Sequence, residues 1–199
     1  MIHFDPVDEP NAFHNKAEVP GQQWLAEHPN AQRPKDYWSQ FKGELAEGFH
    51  NLCAYSALYE PVGTVDHFIS YNEAPNLAYA WNNDRYASGW INSSKNNIPS
   101  NEILDPFAVE DGWFEILLPS LQLQVSDGIP AKIRAKAEFV LKRLHLQHDE
   151  RVLRQRREWY RCYQDGEISL EGLHKKAPLI ARAIERQTFR SSLLPTPAP

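Results

Sequence analysis

The residues best suited to chemistry lie in the middle of the chain. Asp66-His67 sets a carboxylate beside an imidazole within the run Thr64-Val65-Asp66-His67-Phe68-Ile69. An imidazole with an ordinary pKa of about 6.5 suits proton transfer near neutral pH. Asn83 follows sixteen positions after His67 and Asn92 nine positions after that. Lys95 stands three positions beyond Asn92, one turn if the segment is helical. Adjacent strand residues point to opposite faces, so Asp66 and His67 reach one site only if the strand is twisted or bulged. The simpler alternative is a strand-end carboxylate that orients a buried histidine. The other histidines show no ligand spacing with a matching carboxylate and are read as structural or exposed.

The elements that must position these residues follow from hydropathy and turn chemistry. The β-branched and aromatic bias of 64–69 predicts a short strand. Asn72 to Asn76 is a turn, and Trp81-Asn82-Asn83-Asp84 is either another turn or the start of a helix over Arg85 to Trp90. Residues 1–20, with Pro6, Pro10 and Pro20, read as an extended arm, followed by a short helix over Gly21–His28. Asp36 is a candidate N-cap for a helix through about Ala46. Trp113–Leu118 and Leu121–Val125 read as strands, the second alternating apolar and polar. Helices are expected over 131–144 and 149–164, with Asp149 as N-cap and Gly166 as terminator. A last helix over 170–187 is kinked or split at Pro178, and 191–199 reads as a disordered tail.

Composition narrows the class. The chain has 199 residues, 42% of them hydrophobic, enough for one sizeable core. No apolar run is long enough for a membrane span, and the N-terminus lacks the pattern of a secretory signal; a cytoplasmic location is expected. Cys53 and Cys162 are the only cysteines and read as free thiols. The net charge of −5 is unevenly spread. Residues 1–130 hold 6 Lys/Arg against 18 Asp/Glu, and residues 131–199 hold 15 against 8. A basic C-terminal third could face a polyanion, since phosphate binding depends on local surface rather than total charge. Arg151, Arg154 and Arg157 of the 149–164 helix are candidate phosphate contacts; the alternative is that its arginines pair with the acidic N-terminal half.

The order of short motifs resembles the HNH endonucleases. Cys53-Ala-Tyr-Ser56, Val65-Asp66-His67-Phe68, Trp81-Asn82-Asn83, Asn92-Ser-Ser-Lys95 and Leu104-Asp105-Pro106 are similar to the family's succession of Cys-x-x-Cys, Asp/Glu-His-Phe, Trp-x-Asn, Cys-x-x-Cys-Asn-x-x-Lys and Asp-Pro. The nearest likeness is to the compact bacterial branch that includes the HNH component of Septu-type phage-defence systems. The resemblance implies an α+β fold with a ββα-metal core over 51–106. Arm and helices over 1–50, strands and helices over 107–190 and a basic helical C-terminal third would surround it. It implies that Asp66 and Asn92 hold one divalent cation, Mg²⁺ or Mn²⁺, that His67 is the general base, and that Asn83 fixes the connecting loop. Lys95 or Arg85 would contact phosphate. The implied activity is hydrolysis of DNA, with RNA as an alternative substrate and an ATPase or other protein as targeting partner. A catalytically degenerate module that binds without cutting is the rival. The sequence departs from the pattern at the zinc knuckles, which read Cys53, Ser56, Ser88 and Ile91. No structural zinc is expected, and Trp81, Tyr86, Trp90 and Ile91 are candidate apolar replacements.

Overall fold

A computed structural model describes residues 1–192. The fold is α+β: helices surround two separate two-stranded antiparallel sheets. Strand β1 (Thr64–His67) pairs with β2 (Asp84–Ala87), with Asp66 opposite Arg85 and His67 opposite Asp84. Helix α3 (Gly89–Lys95) follows directly and packs along β1. Arg85 to Ala87, open between turn and helix in the sequence, are therefore strand, and a 3₁₀ turn over Trp81–Asn83 feeds them. All four β2 residues are buried, which a single apolar-polar alternation could not have indicated. Gly63 enters β1 under the Tyr86 ring, where a Cβ would sit 2.5 Å from the ring.

The N-terminal segment lies over this unit. Met1, Ile2 and Phe4 are buried, and the Phe4 amide donates to the Pro106 carbonyl at 3.1 Å. The extended arm is shorter than the sequence suggests, because a π-helical turn (His14–Glu18) leads into α1 (Val19–Glu27). Pro20 sits in the first turn of α1, where its missing N–H costs nothing. Asp36 accepts from the amide and hydroxyl of Ser39, starting a 3₁₀ turn that continues as α2 (Lys42–Gly48).

The second hairpin joins β3 (Phe114–Leu117) to β4 (Gln122–Val125). Helices α4 (Ala131–Arg143), α5 (Glu150–Gln164), α6 (Leu170–Lys176) and α7 (Pro178–Ser192) complete the chain. Asp149 caps α5 by accepting from the Arg151 amide, and Pro178 splits the last helical stretch in two. Because α7 runs to Ser192, the tail expected from residue 191 starts no earlier than 193, and 193–199 lie outside the described residues. No helix among the described residues is long and apolar enough to cross a membrane.

Arg156 ties α5 to the second hairpin. It is 1% exposed and donates to the carbonyls of Leu121, Gln147 and Leu146 at 3.1, 3.1 and 2.7 Å. Burial lowers its pKa to about 10. Without it the carbonyls of Leu121 and Leu146 would be left unpaired in the interior, while that of Gln147 keeps the Leu123 amide. Arg156→Met, which keeps the apolar stem, should therefore lower stability by about 2–4 kcal/mol in urea unfolding. A loss under about 0.5 kcal/mol would mean that water satisfies the carbonyls instead.

Candidate functional site

Asp66, His67 and Asn92 border one open cleft of about 500 Å³ between β1 and α3, together with Arg33, Ser70, Tyr71 and Ser93. The pairing of β1 with β2 is regular, without a bulge, so Asp66 and His67 turn to opposite faces and take separate partners. Asp66 is 2% exposed. One of its carboxylate oxygens accepts from the Tyr55 hydroxyl at 2.6 Å and the other from the Lys95 ammonium at 3.0 Å. Burial, and then the Asp66 charge, hold the Tyr55 phenol well above its ordinary pKa, so it stays a donor. Lys95 also donates to the His67 carbonyl at 2.7 Å.

Asn92, one turn before Lys95 on α3, donates to the Val65 carbonyl at 3.0 Å and the Thr64 hydroxyl at 3.2 Å. The same face of α3 thus fastens β1 at two successive turns. Asn83 accepts from the Ile69 amide at 2.8 Å and donates to the carbonyls of Ile69 and Leu77. These bonds tie both ends of the β1–β2 connection together.

His67 faces Asp84 across the hairpin, Nε2 to Oδ1 at 3.6 Å, and neither buried atom has a hydrogen-bond partner. Trp38 packs edge-on against the imidazole at 4.5 Å between centroids. Burial lowers the His67 pKa, and burial raises that of Asp84 well above the carboxylate range. Burial thus disfavours the charged form of both groups. Asp84, Tyr55 and Arg33 were missed in the sequence. Asp84 becomes visible only once the register sets it opposite His67, and Tyr55 carries no spacing signal at all.

The phosphate expectations need correction. Lys95 is fully buried on Asp66. Arg85 is 3% exposed, grips Asp105 through two bonds at 2.9 and 2.8 Å, and is sandwiched by Phe107 and Phe68. Neither offers a donor to solvent, whereas Arg33 borders the cleft and is exposed. On α5, Arg151 pairs with Asp149 and stacks on Trp90, Arg157 pairs with Glu150, and Arg161 pairs with Glu158, Asp165 and Glu167. The partners come from the same basic third, not from the acidic N-terminal half. Arg154 makes no ion pair among the described residues.

Two of the four knuckle positions, Cys53 and Ser88, touch. Cys53, Ser56, Ser88 and Ile91 are buried, and Cys53 Sγ accepts from the Ser88 amide at 3.3 Å. Among the described residues no group of three or more His, Cys, Asp and Glu side chains is placed to hold a metal. A hard divalent cation needs less, since Mg²⁺ keeps most of its waters and takes one or two protein oxygens. Asp66 and the carbonyl oxygen of Asn92, which has no protein partner, fit that requirement in chemical type. Lys95 already neutralises the carboxylate, and a cation there must compete with it.

Two outcomes follow. Lys95→Met leaves Asp66 a buried carboxylate held by Tyr55 alone, so stability should fall by about 3–5 kcal/mol. Mn²⁺ should restore more of it in the variant than it adds to wild type, read by urea unfolding with and without the ion; equal effects would place the cation elsewhere. For Asp84 the folded pKa is raised, so its contribution is full below the unfolded value of about 4 and is lost as pH rises toward the folded one. Asp84→Asn, which also offers His67 an amide N–H, should gain about 1–2 kcal/mol at neutral pH. The gain should vanish toward about pH 4, and thermal unfolding across pH that gives a constant difference would show Asp84 ionised in the fold.

No protein-family model matches the chain, and no curated protein matches it either.

Proposed function

We propose that this chain is a divalent-cation-dependent endonuclease of the HNH type that hydrolyses phosphodiester bonds of DNA. The observation that carries the reading is the shared cleft: Asp66, His67 and Asn92, three of the residues the motif resemblance selects, border one opening between a hairpin and the helix that follows it, while Asn83, Lys95 and Arg85 lie outside it. Asp66 and Asn92 would hold Mg²⁺ or Mn²⁺. When bound, such a cation stabilises negative charge on the scissile phosphate and the leaving oxygen.

The protein's own groups do the rest. His67 would take the proton of the attacking water; burial lowers its pKa and so disfavours the charged ring. Its Nε2 faces Asp84 inside the hairpin at 3.6 Å, so the ring must turn to present a nitrogen to the cleft. Asn83 keeps the connection between the strands in place, and Arg33 at the rim meets the phosphate. The acidic N-terminal two-thirds repels nucleic acid, which suits an effector delivered by a partner, such as the ATPase of a Septu-like anti-phage system acting in the cytoplasm.

One observation favours a second reading. Both Asp66 oxygens are already satisfied by Tyr55 and Lys95, as expected of a degenerate HNH-like module that binds protein or nucleic acid without cutting. Cleavage of supercoiled plasmid, single-stranded DNA and RNA with Mg²⁺ or Mn²⁺ separates the two. The nuclease reading expects wild type to cut and His67→Ala to lose about 10²–10⁴-fold. Equal rates for wild type and His67→Ala would overturn the assignment of the base. No cutting together with no Mn²⁺ uptake by calorimetry would favour the binding module.

A further inference from the structure

Among the described residues, cations without an ion pair cluster on α4, whereas on α5 only Arg154 stands exposed without one. Lys132, Lys136, Lys142 and Arg143 make no ion pair among the described residues, while most arginines of α5 are closed off by carboxylates. Lys132, Lys136, Phe139 and Arg143 follow at i, i+4, i+7 and i+11, a single stripe along the helix. Phe139 is 39% exposed in the middle of that stripe. Ala137, Val140 and Leu141 bury the other side of α4. Glu138, the one acidic residue of α4, stands one turn from Lys142 without closing an ion pair.

The placement of charge is informative. Lys142 and Arg143 lie in the last turn, where cations complement the helix dipole. Lys132 lies in the first turn, which has no acidic residue and where a cation is unfavourable, while Arg134 is held by the carbonyls of Ser126 and Asp127. Helix stability therefore does not explain Lys132. At the C-terminal end, two shallow depressions of about 380 and 320 Å³ flank Lys142 and His145; Phe139 and Arg143 border the first, Gln147 and His148 the second. From Lys132 to Arg143 the stripe runs about 16 Å at the helical rise, the length of roughly five nucleotides at duplex spacing.

We infer that the α4 stripe Lys132-Lys136-Phe139-Arg143, with Lys142 and His145 at its end, is a docking surface for a nucleic-acid strand with unpaired bases. The cations take the phosphates and Phe139 offers a face for a base to stack on, the combination that sequence-tolerant single-strand binding uses. In a chain of net charge −5, this is where a polyanion meets unneutralised cations. The inference deepens the nuclease reading by assigning where its polymer lies, and it shares that reading's premise that the polymer is nucleic acid.

The test is fluorescence anisotropy of a labelled oligothymidine, and of a duplex of equal length, across a salt series. Wild type, His67→Ala, Lys132→Gln/Lys136→Gln, Phe139→Ala and Arg151→Gln/Arg154→Gln would be compared, with circular dichroism confirming that each is folded. Removing the two lysines should flatten the dependence of log affinity on log salt by about 1.4 for the single strand. Phe139→Ala should weaken the single strand about tenfold and leave the duplex nearly unchanged. The α5 pair should bind like wild type. α4 variants that bind like wild type would overturn the surface and leave the nuclease reading standing if His67 controls cleavage. A wild type that ignores both oligonucleotides, or binds only anionic vesicles, would overturn it too. Binding through α4 with no cleavage under any cation would keep the surface and remove the nuclease.

Discussion

The contact on which the centre of this protein depends is the buried ion pair of Asp66 with Lys95, closed by the Tyr55 hydroxyl. Three chain segments meet there: the turn after Cys53, strand β1 and helix α3. A carboxylate and an ammonium removed from water are stable together only when their remaining hydrogen-bonding capacity is met. Here Tyr55 and the His67 carbonyl meet it. The pair does for the hairpin and helix what a metal knuckle would do elsewhere, since it fixes the crossing of α3 over β1 from inside. The apolar set Tyr86 and Ile91, each 1% exposed, then fills the space around it.

That arrangement also sets the terms of any chemistry at the cleft. The same carboxylate is both a structural anchor and the best oxygen donor on the cleft wall, and one side chain cannot serve both roles at full strength. A cation drawn to Asp66 lowers the pull of Lys95, and loosening Lys95 releases the C-terminal turn of α3, where Asn96 already sits at φ 47. In the neighbouring His67–Asp84 pair burial disfavours charge on both groups, and no mutual hydrogen bond offsets it. Two titratable pairs on one short strand are thus set apart by their surroundings: one is closed by hydrogen bonds and the other is not.

The sequence made some of this legible and not the rest, for physical reasons. Local signals held well: the strand expected over 64–69, which ends at His67, the Asp149 cap, the helix-splitting Pro178 and the alternation of β4 all act within a few residues of themselves. Strand β2 was ambiguous because it is buried on both faces, and a fully buried strand has no period to read. Asn83 lies in the connection between the hairpin strands, and Asn92 lies on the helix that follows, bonded to β1. What failed was the fate of individual charges. Arg85 and Lys95 look like surface cations in a list of residue types, yet each is consumed by a carboxylate at long separation, Asp105 and Asp66. Such pairings depend on register and crossing angle, which no local window contains.

The basic C-terminal third makes the same point on a larger scale. Counting arginines directs attention to α5, but its carboxylates lie at spacings that close ion pairs on the helix itself and on the Gly166 turn. Such exposed pairs contribute little to stability, yet they remove those guanidinium groups from the long-range field, because a neutralised pair attracts a distant polyanion only weakly. On α4 the lysines have no such partners, so fewer cations leave more uncompensated charge. The surface that can meet a phosphate backbone is therefore decided by which cations lack an acid within reach, and not by where the cations are most numerous.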